Sequence, residues 1–357
     1  MASPQTPTMV YADRIRRYAR VSTTLTLLSD ERLHQDLEEA AILHTGIGGM
    51  TALLERDGTP IFVKIVPLTA LEKRPSHMHS TRNVFQLPPY CHYGIGSPGA
   101  GVWRELAAHI MTTNWVLAKA CPAFPILYHW RVLPRPHRDL PMAEEIRQVS
   151  QQAAFWGSEA VGDRLTALAQ ADDSVVLFIE YLPHTLHDWL TGQFALGDEA
   201  VRTALHWVES QLPPAVAFMN AHGLFHFDVH SQNVMTDGHG VYITDFGLTA
   251  SSRFELSPPE REFLMRNQRH DHAYVVTDIV NEVLRGLTDC GAWDERIAFL
   301  RRVVDGAAPT PLMGPVSTLV QRYAPTALVM NQFYWDLARQ SRQTPFPADR
   351  IESMARH

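Results

Sequence analysis

The residues best suited to chemistry lie in one short part of the chain, where the stretch 226–233 is followed by Asp-Phe-Gly at 245–247. Phosphoryl transfer needs a base beside the acceptor hydroxyl, oxygen ligands for magnesium and a cation on the nucleotide phosphates. Asp228 can serve as the base. Asn233 and Asp245 offer the hard oxygen ligands that magnesium prefers. These residue types and spacings predict phosphoryl transfer from a nucleotide triphosphate.

A cation for the phosphates is available upstream, at Lys64. It lies within an apolar run, residues 61–66, that is typical of a strand. Glu105, in a helical stretch from about 101 to 119, can hold this lysine by an ion pair. The segment between the two residues is long, so the sequence leaves open whether another acid pairs with Lys64.

A glycine-rich stretch precedes the lysine strand and contains Gly46, Gly48 and Gly49. Glycine allows the backbone to approach phosphates closely. Farther along, Asp57-Gly58 separates two apolar runs, and both of its residues can take the positive φ of a tight hairpin turn. The order strand, glycine loop, strand, turn, strand predicts a nucleotide-binding hairpin that ends in Lys64.

The chain divides into a strand-rich N-terminal part and a helix-rich C-terminal part, which predicts an α+β architecture with two lobes. We expect an N-terminal tail and helical extension over 1–39, an N-lobe with a hinge over 40–182, and a helical C-lobe over 183–357. Two inserts interrupt the N-lobe at about 67–100 and 134–171.

Several local expectations accompany this division. Residues 1–9 have the character of a loose tail, and Ser29 is suited to capping a helix N-terminus. A strand is expected over 124–132. Pro213-Pro214 implies a kink or restart in a helix. Residues 330–337 place four apolar side chains on one helix face.

These motifs, taken in order, resemble the protein kinase family. His226, Asp228 and Asn233 match its H-x-D-x-x-x-x-N motif, and residues 245–247 match its D-F-G motif. The resemblance runs from about residue 40 to 250. It implies a protein-kinase-like fold with a small antiparallel-sheet N-lobe and a larger helical C-lobe, and it implies ATP and Mg²⁺ as cofactors.

The resemblance also implies roles for individual residues. Lys64 and Glu105 correspond to the family's strand lysine and its helix glutamate. The stretch 178–182 is similar to the hinge, so Glu180 and Leu182 are expected to bind the nucleotide base through backbone groups. His226, Asp228 and His230 are expected in the catalytic loop.

The sequence departs from the family pattern in its glycines. Thr51 stands where the family has its third glycine, whereas Gly94-Ile-Gly96-Ser-Pro-Gly99 fits G-x-G-x-x-G more literally. A dinucleotide site would need a strand before that motif and a helix opening on it. No clear strand precedes it, so we interpret it as a loop that leads into the helix carrying Glu105.

The residues of the catalytic loop do not decide between a protein and a small molecule as the acceptor. His230 replaces the lysine of Ser/Thr protein kinases, and the form H-x-D-x-H-x-x-N is similar to aminoglycoside and related small-molecule phosphotransferases. A loop histidine bonded to backbone is the plain alternative. Phe227 replaces an arginine of regulated protein kinases, which implies activity without phosphorylation of the segment after Gly247.

Three functions follow from these residues; we expect the first, and the other two are alternatives. A eukaryotic-like Ser/Thr protein kinase is favoured by the D-F-G form, the lysine strand and the hinge. A small-molecule O-phosphotransferase is favoured by His230, the inserts and the short segment after Gly247. The third is a pseudokinase that acts as a binding module.

Composition limits the partners. The 357 residues carry a net charge of −7, so the basic excess typical of nucleic-acid binding is absent. The chain has no apolar run long enough to span a bilayer and no apolar signal segment at its start. We therefore expect neither a nucleic acid nor a membrane as partner, and a cytoplasmic location.

Overall fold

The fold was analysed in a computed structural model, which describes residues 7–136 and 147–354, with side chains from residue 11 onward. A small antiparallel sheet lies in the N-terminal half, and helices dominate the C-terminal half. This is a mixed α/β architecture consistent with a two-lobed kinase-like fold, as the sequence predicted.

The N-lobe is built on a five-stranded sheet with the order β1-β2-β3-β5-β4, in which every neighbouring pair is antiparallel. Asp57 and Gly58 join β2 to β3 with φ of 49° and 69°, which confirms the predicted tight turn. The strands are β1 (Ala41–Gly46), β2 (Gly49–Arg56), β3 (Thr59–Leu68), β4 (Leu127–Pro134) and β5 (Asp173–Glu180).

The register of β3 determines where its lysine points. Lys64 lies between Thr51 of β2 and Leu177 of β5 in the ladder. Side chains alternate across a sheet, so Lys64 is on the face opposite Val63 and Ile65, which are buried in the main core. The strand expected over 124–132 begins at Leu127 and ends at Pro134, which an edge strand such as β4 tolerates.

Within the described residues, five helices belong to the N-terminal extension and the N-lobe. The expected loose tail is wrong from residue 7 onward, because the first helix begins there, and Pro7 suits a first helical position. Ser29 caps the second helix, as predicted, by accepting a hydrogen bond from the backbone N of Arg32 at 3.2 Å. The helices are α1 (Pro7–Leu27), α2 (Asp30–Glu39), α3 (Val102–Leu117), α4 (Val149–Trp156) and α5 (Glu159–Ala169).

The two inserts differ in structure. The first is mostly irregular and contains the 3-10 turn Pro89–His92. The second carries α4 and α5. Residues 137–146 of this insert lie outside the described residues.

The C-lobe is helical with three short strand pairs. Its strands are β6 (His184–Thr185), β7 (Leu224–Phe225), β8 (Val234–Thr236), β9 (Val241–Ile243) and β10 (Ala250–Ser251). Its helices are α6 (Leu186–Phe194), α7 (Asp198–Ala221), α8 (Pro258–Arg266), α9 (His270–Leu287), α10 (Trp293–Val304), α11 (Gly314–Arg339) and α12 (Ala348–Met354).

Of the expectations for the C-lobe, the restart of a helix at Pro213-Pro214 is wrong and the apolar face over 330–337 is confirmed. Pro213 and Pro214 lie inside the single helix α7, so the helix does not restart there. The neighbouring Leu212 and Val216 are buried in the core, and this packing holds the helix together despite the lost hydrogen bonds. The apolar face over 330–337 is buried as predicted.

Helix α1 is anchored to the end of β5 by Arg14. Its guanidinium donates to both carboxylate oxygens of Glu180 and to the backbone oxygens of Pro122 and Phe124. The side chains of Arg14 and Glu180 are only 3% and 2% exposed. The N-terminal extension is therefore tied to the segment that joins the two lobes.

Among the described residues, the structure contains no helix that is both long and apolar enough to cross a membrane.

Replacing Arg14 by Met should lower the free energy of unfolding by about 3 kcal/mol, because the buried carboxylate of Glu180 then keeps only Arg17, at 3.6 Å, and the backbone N of Ile126 as partners among the described residues. Denaturant-induced unfolding measures this change. Arg16→Met is the matched control on the same helix, since its side chain is 71% exposed, and it should stay within about 0.5 kcal/mol of the wild type. Equal stability of the two variants would contradict the anchoring role.

Candidate active site

A cleft of about 630 Å³ lies between the sheet and the C-lobe, and most of the predicted site residues line it. The glycine loop forms one part of its wall, and the two predicted carboxylates form another. The predicted residues that line it are Gly46, Gly48, Gly49, Lys64, Glu105, Asp228 and Asp245.

Lys64 lies between two carboxylates. Its Nζ is 2.6 Å from Oε1 of Glu105 and 2.8 Å from Oδ1 of Asp245. Glu105 reaches it from the first turn of α3. The pairing that the sequence left open is therefore present. Helix α3 packs on β3 although a long insert separates the two elements in the sequence.

The two ion pairs determine the protonation states of Lys64 and Asp245. Burial alone would lower the pKa of Lys64, but the carboxylates of Asp245 and Glu105 outweigh it and raise that pKa above its usual range. Burial would raise the pKa of Asp245, yet the Lys64 ammonium holds it below its usual range. Lys64 is therefore a cation and Asp245 an anion throughout the physiological pH range.

Asp228 has the properties of a base. Burial, opposed by His230 and reinforced by Asp245, raises the pKa of Asp228 to about 7. Its Oδ2 accepts a hydrogen bond from Nδ2 of Asn233 at 3.1 Å. Its Oδ1 is buried and has no hydrogen-bond partner among the residues described. A carboxylate that titrates near neutral pH with one oxygen unused is suited to accepting a proton.

Asn233 and Asp245 fit a magnesium ion by their donor atoms. Asn233 uses its Nδ2 to bind Asp228, so its amide oxygen is left to coordinate. Asp245 uses Oδ1 for Lys64 and for the backbone N of Gly247, and its side chain is 49% exposed toward the cleft. Magnesium prefers such oxygens and keeps several waters. These two residues would hold the ion.

His226 positions the loop and does not face the cleft. It is fully buried. Its Nε2 donates to the backbone oxygen of Thr244 at 2.8 Å, while its Nδ1 accepts from the backbone N of Asp228 at 3.2 Å. Burial lowers the pKa of His226, which keeps the ring neutral. It thus connects the loop that carries Asp228 to the loop that carries Asp245.

Asp271 is a functional residue that sequence reasoning missed. From the first turn of α9, its carboxylate accepts from the backbone N of His226 at 2.7 Å and of Phe227 at 2.8 Å. Phe227 has a φ of 65°, a left-handed conformation that costs free energy and needs such support. Phe227 is buried in an aromatic cluster with His92 and Phe263. In the sequence, Asp271 is a single acid in a helical stretch and belongs to no motif that would have identified it.

His230 lies beside the base. Its Nε2 is 3.6 Å from Oδ1 of Asp228 and 3.2 Å from Nδ2 of Asn233. Its Nδ1 also accepts from the backbone N of Gln232 at 3.3 Å. The geometry accommodates both sequence interpretations, and a catalytic role for His230 stays a prediction.

Two predicted nucleotide-binding residues lie elsewhere. Glu180 and Leu182 are buried, and neither is among the described residues that line the cleft. The carboxylate of Glu180 is held by Arg14 instead. Base binding by this segment stays a prediction.

Gly49 has a structural reason to be glycine. Its φ is 114°, and a Cβ there would lie 2.1 Å from the backbone oxygen of Ile65. The glycine loop can therefore stay close to β3.

The first insert reaches the base, and sequence reasoning did not assign this contact. A Cβ at Gly94 would lie 1.9 Å from Oδ1 of Asp228. The loop is fastened to the segment after Asp245 by His92 Nδ1, which donates to the oxygen of Leu248 at 2.7 Å, and by the N of Ala100, which donates to the oxygen of Gly247 at 2.9 Å. The literal glycine motif was the available signal. It marks a close approach to a carboxylate.

Comparisons with known proteins support kinase-type phosphoryl transfer in general. No protein-family model matches the chain. Over 76 residues, 21% of this chain, the sequence is 37% identical to a probable cell division protein kinase of Encephalitozoon cuniculi (strain GB-M1). The match spans 23% of that relative's length. This partial similarity suggests a protein kinase-like family and supports a kinase-type phosphotransferase in general.

Gly94→Ala should reduce phosphoryl transfer by about 10- to 100-fold, because the new Cβ must displace the carboxylate of Asp228 or the loop above it. Steady-state kinetics with ATP measure this loss. Gly192→Ala is the control, since a Cβ at this helical position meets nothing within 4 Å. Unchanged kinetics in a folded Gly94→Ala protein would show that the loop does not control the base.

Proposed function

We propose that the protein is an ATP-dependent kinase that moves the γ-phosphoryl group to an acceptor hydroxyl. The observation that carries the proposal is the set of contacts around the cleft. Lys64 is paired with Glu105 and Asp245 on one side, and Asp228 is bonded to Asn233 on the other. Positioning and charge compensation of this kind are what phosphoryl transfer requires.

In the proposed mechanism each residue acts on one part of the reaction. Lys64, held by Glu105, neutralises the phosphates of the nucleotide. Asn233 and Asp245 would hold Mg²⁺, which supplies positive charge to the phosphate oxygens when bound. Asp228 accepts the proton of the acceptor hydroxyl while the hydroxyl oxygen forms a bond to the γ-phosphorus. The bond between the γ-phosphorus and the β-phosphate oxygen breaks, and ADP leaves.

The contacts of the first insert and of α3 with the C-lobe favour a compact acceptor. Tyr93 donates to Oδ1 of Asn267 at 2.7 Å, and Arg104 forms a buried ion pair with Glu260 at 2.7 Å. These contacts cover the segment after Asp245 with the chain's own residues, where an extended polypeptide acceptor would need an open surface. We therefore favour a small hydroxylated molecule as the acceptor.

A second cavity near the base has room for such a molecule. It measures about 400 Å³, and Gly94 and His230 lie at its border. Pockets for small ligands combine aromatic walls with a few polar groups. Here the walls include the aromatic and polar side chains of Tyr274, Asp278, Asn281, Glu282, Trp293, Asn331 and Tyr334.

A Ser/Thr protein kinase is the second candidate. The name of the partial relative, a probable cell division protein kinase, favours it, as do the D-F-G form and the lysine strand.

Labelled ATP and magnesium, supplied to the protein alone, with generic protein substrates and with a panel of hydroxylated small molecules, test the acceptor. We expect label on a small molecule, and its loss in Asp228→Asn and Asp245→Asn, because these changes remove the base and the negative charge of a magnesium ligand. Label on protein that requires Asp228 would favour the second candidate. Nucleotide binding without transfer to any acceptor would contradict both and indicate a pseudokinase.

The pH dependence tests the base directly. Because Asp228 acts as a base only when ionised and its pKa is about 7, kcat/KM should rise with pH and level off above about 8. At pH 6 about a tenth of the maximal value should remain. Asp278 also has a raised pKa, about 6, owing to burial and Glu282, and its charge contributes to the raised pKa of Asp228. Asp278→Asn should therefore keep the rise in kcat/KM and move its midpoint to slightly lower pH. A flat profile from about pH 5.5 to 8 would rule out Asp228 as the titrating base.

A further inference from the structure

Arg164 lies in the nucleotide cleft although no motif assigns it a role. It belongs to α5 in the second insert, and it lines the same cleft as Lys64 and the glycine loop. Its side chain is only 3% exposed. A buried guanidinium on the wall of a phosphate-sized cleft needs an explanation, because burying a charge is costly.

Glu72 provides part of that explanation. Nη1 of Arg164 donates to Oε2 of Glu72 at 2.7 Å. Glu72 in turn accepts from the hydroxyl of Thr69 at 2.6 Å and from the backbone N of Val102 at 3.1 Å. This carboxylate therefore serves the N-terminus of α3 as well as Arg164.

The guanidinium is nevertheless incompletely used. It packs over the ring of Phe85 at 4.9 Å. Within residues 11–136 and 147–354, its Nε is buried without a hydrogen-bond partner. Arginine carries five N–H donors in a fork that matches phosphate oxygens. Arg164 thus keeps donor capacity beside the cleft.

The lining of the cleft has an excess of negative charge, which the free donors of Arg164 could compensate when a nucleotide binds. Glu105, Asp228 and Asp245 bring three carboxylates to the lining, and Lys64 contacts two of them. Burial raises the pKa of Glu105, and Arg164 lies close enough to oppose part of that shift. A triphosphate adds further negative charge that one shared ammonium cannot balance alone.

We infer that Arg164 is a second phosphate-binding cation, supplied by the inserted helix α5, for the β- and γ-phosphates of the nucleotide. This inference rests on the proposed function. Its ligand class is a nucleoside polyphosphate, and its role is to bind the phosphate chain while Glu72 holds Nη1 of the guanidinium.

A positioning role is the rival explanation. Arg164 could act only by neutralising Glu72, which bonds to α3 and so supports Glu105. In that case the removal of Arg164 would have no further effect once residue 72 is neutral, whereas the loss of a phosphate contact would still weaken ATP binding much more than AMP binding.

Isothermal calorimetry of ATP, ADP and AMP binding, with magnesium, distinguishes the two roles. We expect Arg164→Gln to weaken ATP binding by about 10- to 100-fold, the equivalent of one charge-assisted hydrogen bond. AMP binding should change by less than about threefold. Arg164→Lys should recover part of the loss, because it keeps the charge but not the fork.

A second comparison avoids leaving Glu72 unpaired. Glu72→Gln and the double variant Glu72→Gln/Arg164→Gln share the same neutral residue 72 and differ only in the cation. The preference for ATP over AMP should be about 10- to 100-fold smaller in the double variant than in Glu72→Gln, because Lys64 remains in both proteins. Equal ATP-to-AMP ratios in these two proteins would overturn the inference.

Nucleotide binding by the wild type distinguishes a failure of the inference about Arg164 from a failure of the proposed function. If it binds ATP tightly and Arg164→Gln keeps the wild-type ATP-to-AMP ratio, only the role of Arg164 fails. If the wild type binds no nucleotide, the proposed function fails and the inference fails with it.

Discussion

The arrangement of this protein depends on one buried ammonium group. Lys64 is withdrawn from water between Glu105 and Asp245, with contacts of 2.6 and 2.8 Å. An unpaired buried charge would be prohibitive, so β3, α3 and the loop at 245–247 must assemble together. The pairing joins residues 181 positions apart and brings the sheet and the helical lobe to one cleft.

The loop that carries the base is held by backbone contacts. Asp271 accepts from two consecutive amides, and His226 bonds to the loop of Asp245. Phe227 stays in a left-handed conformation because its ring is buried among other aromatic rings. The place where regulated kinases carry an arginine is thus used here for packing, which leaves no cation at that position to meet a phosphorylated segment.

The inserts form part of the walls of the cleft. The first places Gly94 against Asp228 and covers the segment after Asp245. The second brings Arg164 to the phosphate side. They meet in the buried pair of Glu72 and Arg164, so the two additions to the lobe stabilise one another and the start of α3.

Local pattern alone was sufficient for the hairpin turn at Asp57-Gly58, the cap at Ser29, the alternation that exposes Lys64 to one face, and the motifs around Asp228, because each depends on neighbours in the chain. The continuity of α7 through its prolines, the anchoring of Glu180 by Arg14, and the approach of Gly94 to Asp228 could not be predicted in this way. Each depends on contacts between residues far apart in sequence, whose packing overrides local preference. Asp271 and Arg164 became visible for the same reason: burial and unfilled hydrogen-bond capacity are properties of the folded chain.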